Sequence, residues 1–125
     1  MFLKTPSKPT LAIVDLKAIA KIAHKNGARL IVDNAFATPA LQRPFAFGAD
    51  VVVHSSTKYI DGQGRALGGM ILCHEDFLKD HPQSFFRNTG RSISPFNPGL
   101  HLKSTHTQSM TRRRDSRAAA TVATR

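Results

Sequence analysis

An α/β fold built on a mostly parallel sheet is predicted by three observations. An amphipathic stretch follows Asp15; an apolar run, Leu30-Ile-Val32, ends in Asp33; a second run, Asp50-Val-Val-Val53, leads into His54-Ser-Ser-Thr-Lys58. Short, uninterrupted β-branched runs are what strands covered on both faces show, and their alternation with helical periodicity is the pattern of parallel sheets with crossover helices.

Taken in order, Thr5-Pro-Ser-Lys-Pro-Thr10 is a proline-bounded turn that fits no regular element. From Asp15, the residues Leu16, Ile19, Ala20, Ile22 and Ala23 recur at close to helical spacing, with Lys17, Lys21 and Lys25 on the polar side. Asp15 stands where a capping carboxylate is favourable, and Asn26-Gly27 is a helix end. Leu30–Val32 and Asp50–Val53 are the first two strands; between them Ala37–Pro44 gives a turn and a short helix, and Phe45–Gly48 a loop. After the glycine-rich stretch Gly62–Gly69, Met70-Ile-Leu-Cys73 is a third strand. From Asn97 onward apolar periodicity disappears, and Met110–Arg125 is basic and rich in Ala, Thr and Arg. The expectation is therefore a partial α/β domain over residues 1–97 and a basic, disordered tail over 98–125.

A net charge of +10 would ordinarily point to a polyanion partner. Its distribution argues against nucleic acid: residues 1–100 carry 12 basic against 7 acidic side chains, the last 25 carry 6 against 1, so half the excess sits in the tail. Met1-Phe-Leu-Lys-Thr-Pro6 has no apolar h-region, and no apolar run approaches the ~20 residues of a membrane span, so a cytoplasmic protein without a membrane partner is expected. Cys73 is the one cysteine and reads as a buried, inert thiol; the six histidines are scattered without ligand spacing, so no metal is expected.

Lys58 is the residue that points to chemistry. An unpaired ammonium is costly behind a buried strand, so a lysine placed there reads as a working amine. Such an amine can form a Schiff base with an aldehyde, and pyridoxal 5'-phosphate is the cofactor that most often uses one. It needs an acidic partner for its ring nitrogen, which Asp33 can supply, and donors for its phosphate. Ser55 and Thr57, two apart, fall on one face of an extended segment and can donate together. Ser56 then points the other way, Asn34 either orients the strand end or serves an ordinary turn, and His54 stands near enough to act behind these groups.

The block Thr5–Phe96 resembles the pyridoxal phosphate enzymes of cysteine and methionine metabolism, through the signature Asp50–Gly64 around Lys58 and the upstream Val32-Asp33-Asn34, whereas the chain is expected to depart from the family near Asn97, leaving the 98–125 tail unlike it. Within that family, Asp61-Gly-Gln-Gly-Arg-Ala-Leu-Gly-Gly69 and Phe86-Arg-Asn-Thr-Gly90 look most like the O-succinylhomoserine sulfhydrylase group. The resemblance implies the cofactor domain of a fold-type I enzyme, with Lys58 as cofactor amine and proton-moving base, Asp33 on the pyridinium, and Ser55 and Thr57 on the phosphate. It further implies an amino-acid substrate, homo-oligomers with shared active sites, and a chain about three times as long, of which this is a middle piece. Ser7-Lys8-Pro9 departs from the family's Ser-Asn-Pro, which exchanges an amide near the cofactor for a charge. The family's stacking tyrosine, its partner-subunit tyrosine-arginine pair and its carboxylate-binding arginine have no counterpart here, and nothing places Arg87 or Arg91 in the last role. A cystathionine γ-synthase or lyase relative, an inactive remnant and a basic polyanion-binding module are the competing readings.

Overall fold

The structure, a computed structural model, describes residues 1–80 and 94–123. In chain order it contains β1 (Phe2–Lys4), α1 (Leu16–Lys25), β2 (Ile31–Asp33), α2 (Thr38–Leu41), a 3-10 turn (Pro44–Phe47) and β3 (Val51–Ser55). A π-helical turn (Ser56–Ile60), β4 (Gly69–Cys73), α3 (Glu75–Asp80) and α4 (Phe96–Ala123) follow. The strands form one sheet in the order β1-β2-β3-β4. The first three are parallel, and β4 runs antiparallel to β3 at the edge, because the Lys58 turn and the glycine-rich loop bring the chain back from the end it has just left.

Helix α1 forms as its sequence requires. The Asp15 carboxylate accepts the Ala18 amide at 3.0 Å and satisfies one orphan donor of the first turn. Leu16, Ala20 and Ala23 are buried against Leu30, Val32, Ala49 and Val52, and this is the core. Each fully buried Leu or Val in it is worth about 1.5–3 kcal/mol of removed apolar surface. The alanines let the helix lie close to the sheet. At Gly48, which closes the 3-10 turn with φ +93°, an added Cβ would come within 3.0 Å of the Ala20 Cβ, so both the turn and the approach demand glycine.

Three elements differ from the sequence expectation. Strand β1 was not expected: three residues cannot show a period, and it is a strand because it pairs Phe2, Leu3 and Lys4 with Ile31, Val32 and Asp33. Cys73, expected to be buried, is only partly covered on the edge strand β4. The largest difference is the end of the chain, where a disordered tail was expected over 98–125 and the structure has helix α4. Among its described side chains the buried ones are His101, Ser104 and Gln108, spaced i, i+3 and i+7. The helix therefore docks through a polar stripe, invisible to a search for apolar periodicity. Pro98 falls in its first turn, where a missing N–H costs nothing. The motif Phe86–Gly90, with Arg87 and Arg91, lies outside the described residues.

Candidate active site

The three parallel strands all end at the same edge of the sheet, and each ends in a polar residue: Lys4 on β1, Asp33 on β2 and Ser55 on β3. Ligands of open α/β sheets bind outside the carboxyl ends of the strands. A cavity of about 310 Å³ opens there, lined by Lys4, Asp33, Ala35, Phe36, Val53, His54, Ser55, Lys58, Gly68 and Gly69. That volume is in the range of small-molecule sites.

Lys58 lines this cavity from the π-helical turn, where its own backbone (φ −88°, ψ −117°) interrupts the helical run, but it is exposed rather than buried behind the strand as expected from sequence, because the chain turns out of the sheet after Ser55. Among the described residues, the Lys58 amine and the Ser55 hydroxyl have no hydrogen-bond partner. The Asp33 carboxylate takes the Lys4 ammonium at 2.9 Å on one oxygen and the Ala35 amide at 3.0 Å on the other. Lys4 also lies 4.7 Å from the Phe36 ring centre, so its charge is held against the cavity wall. Asn34 is fully buried and exchanges two hydrogen bonds of 2.9 Å with Gln42, while its amide donates to Val53 O; these bonds fix the end of β2.

His54 is 3% exposed, and its Nδ1 has no partner among the described residues. Burial pulls it below its ordinary value, against the opposing pull of the Asn34 backbone and the Asp33 charge, so the imidazole is neutral at physiological pH. It can offer a lone pair or one N–H to a polar occupant.

Of the residues expected from sequence, Asp33, Ser55 and Lys58 line one cavity. Thr57 does not: it sits in the helical turn rather than in an extended segment, so the two-residue alternation breaks at Ser56. Its hydroxyl donates to Gly68 O at 3.2 Å and accepts from Gly68 N at 3.0 Å. Ser56 faces away from the cavity and is buried against His101. Lys4 and its contact with Asp33 were missed, since a lone lysine before a proline-rich turn carries no signal.

A larger cavity, about 580 Å³, lies on the other side of Phe36, between the proline-rich segment with Lys8 and the side chains of Tyr59 and Arg112. It is mostly apolar and holds none of the chemistry above. Among the described residues no cluster of three or more His, Cys, Asp or Glu side chains could share a metal ion, and no helix is long and apolar enough to cross a membrane.

The donor set of the smaller cavity fits pyridoxal phosphate in part. A free amine suits an aldehyde, a carboxylate suits a ring N–H, and a free hydroxyl suits one phosphate oxygen. The Asp33 carboxylate keeps acceptor capacity beyond its contacts with Lys4 and Ala35, whereas the Thr57 hydroxyl is already engaged with Gly68.

Comparison with known proteins gives the same chemistry. Residues 1–124 match the family described as Cys/Met metabolism PLP-dependent enzyme, so the match runs on through the stretch after Asn97 that was expected to depart from the family. The chain is 51% identical over 106 residues to the O-succinylhomoserine sulfhydrylase of Pseudomonas aeruginosa, covering 85% of this chain and 26% of that protein. It is 38% identical over 125 residues to the L-methionine gamma-lyase of Porphyromonas gingivalis, covering 98% and 31%. Among solved structures, cystathionine gamma synthase from Xanthomonas oryzae pv. oryzae, in complex with aminoacrylate and cysteine, superimposes with a TM-score of 0.81 at 39% identity, over 87% of this chain and 28% of that one. The chain thus spans about a quarter to a third of the length of these relatives.

Proposed function

This chain belongs to the Cys/Met metabolism PLP-dependent enzyme family, and from that premise we propose that it carries the cofactor-lysine portion of an O-succinylhomoserine sulfhydrylase. The reaction is the replacement of succinate by sulfide: the bond from the substrate's γ-carbon to the succinyl oxygen breaks, a carbon–sulfur bond forms, and homocysteine and succinate leave. The observation that carries the reading is the joint lining of one cavity by the Lys58 amine, the Asp33 carboxylate and the Ser55 hydroxyl. The 51% identity to a sulfhydrylase supports that choice of substrate over the lyases and synthases, which match less well.

In this reading Lys58 would hold the cofactor through its aldehyde, and its amine would be the base that moves protons at the substrate's α- and β-carbons. Asp33 accepts the ring N–H and keeps the ring cationic. Ser55 would donate to the phosphate, and Lys4, which lines the same cavity, adds positive charge to it. Thr57, the second phosphate hydroxyl expected from sequence, instead holds the Gly68 backbone and shapes the wall. When bound, the cofactor supplies an electron sink for carbanionic character on the substrate. His54 lines the cavity as a buried, neutral imidazole.

Because the isolated chain lacks the family's tyrosine and arginine groups, the substrate assignment is tested on the full-length protein of which it is expected to be the middle piece, loaded with pyridoxal phosphate, by supplying O-succinylhomoserine with either sulfide or cysteine and by repeating the assay with Lys58→Ala. Homocysteine formed from sulfide, and lost in the variant, is the expected outcome. Cystathionine formed preferentially from cysteine would contradict the sulfhydrylase assignment and favour the synthase.

A further inference from the structure

We propose that helix α4 is the positioning element for Lys58, acting through the buried polar stripe of His101 and Ser104 and through Arg112. The turn that carries Lys58 is held from both sides by this one helix. On the N-terminal side, the Ser56 hydroxyl, fully buried, meets His101 Nε2 at 3.2 Å. On the C-terminal side, the Ser104 hydroxyl lies 3.2 Å from Asp61 Oδ1 and accepts from Arg65 Nη2 at 2.5 Å, while Arg65 also pairs with Asp61 at 2.8 Å. Between them, the Arg112 guanidinium lies 4.4 Å from the Tyr59 ring centre and donates to Phe36 O at 3.1 Å. Residues 56, 59 and 61 are thereby fixed, and Phe36, a wall residue of the cavity, is fixed by the same helix.

The arrangement matters for Lys58 because its backbone leaves the helical region at that residue alone. A long side chain on an unrestrained turn would sample solvent, whereas a turn pinned on each side confines the amine to the cavity mouth and lowers the entropy cost of reaction there. The contacts of His101 with Ser56 and of Ser104 with Asp61 are buried and polar, so they specify one docking of the helix rather than a sliding apolar face. The proposal depends on the cofactor reading only for why the position of Lys58 is useful; the clamp itself is a property of the chain.

Two turn hydrogen bonds report on it: Asp61 N to Ser56 O at 2.9 Å and Gly62 N to Lys58 O at 2.8 Å. In the full 125-residue chain, His101→Ala and Ser104→Ala are each expected to speed amide exchange at Asp61 and Gly62 by about tenfold, the effect of losing one buried hydrogen bond. Exchange at Val32 and Val52 should be unchanged, His101→Gln should restore protection, and Lys103→Ala, on the exposed face, should do nothing. With pyridoxal phosphate added, the visible band of the wild-type adduct should titrate with a pH midpoint that moves in His101→Ala and returns in His101→Gln. Unaltered exchange at Asp61 and Gly62 in both alanine variants, or a rise shared equally by Val32 and Val52, would overturn the proposal. A wild-type chain that takes up no cofactor at Lys58 would sink the cofactor reading, and the exchange comparison would still decide the clamp.

Discussion

Asp61 is the residue whose environment makes the sharpest demand. Its carboxylate is buried, which by itself would raise its affinity for a proton. The Arg65 amide, side chain and charge, together with the Ser104 hydroxyl, outweigh burial and hold it below its ordinary value of 3.8. A carboxyl depressed in the folded state stabilises the fold fully above the unfolded value and loses that contribution as pH falls through the folded one. We therefore expect the contact between α4 and the Lys58 turn to loosen in acid below pH 3.8, and Asp61→Asn to remove this part of the acid sensitivity; thermal melts of both chains across that range check it. A variant that keeps the wild-type acid profile would assign the sensitivity to another carboxyl such as Asp50, which Leu30 N–H and His24 also depress against burial. At this scale the sequence was informative wherever a residue's place along the chain set its chemistry. Asp33 and Lys58 each follow a buried run, and that alone marks a polar group aimed out of the strand end. Lys4 could not be found in the same way, because its strand is defined only by its partner. Thr57 was placed on the Ser55 face because an extended backbone was assumed through a segment that curls into a helical turn.

The elements differ in what holds them. Helix α1 and strands β2 and β3 are secured by apolar contacts between neighbours of simple composition, so period and run length were enough to reveal them. Leu30, fully buried at the start of β2, touches both layers of that core. Leu30→Ala is expected to destabilise the chain by about 2–5 kcal/mol, through lost transfer energy and the cavity left behind, as read by chemical denaturation. A cost below about 1 kcal/mol, the level of a surface change, would mean that this core does not carry the fold. Helix α4 is secured in the opposite way, by hydrogen bonds from His101, Ser104 and Arg112 to groups far away in sequence. Such bonds leave no periodic trace, because the stripe is chemically like a solvent-facing surface. Its second half is rich in alanine and arginine, both good helix formers.

For the molecule as a whole, topology gathers the chemistry. Parallel pairing of β1, β2 and β3 brings three strand ends to one edge, and the return of the chain through the Lys58 turn places an amine opposite a carboxylate. The family, the sheet and the lysine signature were all legible in the sequence; the docking of α4 and the Lys4–Asp33 contact were not, since both depend on which distant segments meet. The most direct test of the central claim, that Lys58 is the cofactor amine, is to incubate the chain with pyridoxal phosphate, reduce with borohydride and map the modified peptide by mass spectrometry. Lys58 should carry the pyridoxyl group in preference to Lys17, Lys21 and Lys25 of α1, which are exposed as Lys58 is but line no such cavity, and Asp33→Asn should reduce the yield at Lys58. Modification spread evenly over the surface lysines, with Lys58 untouched, would contradict it.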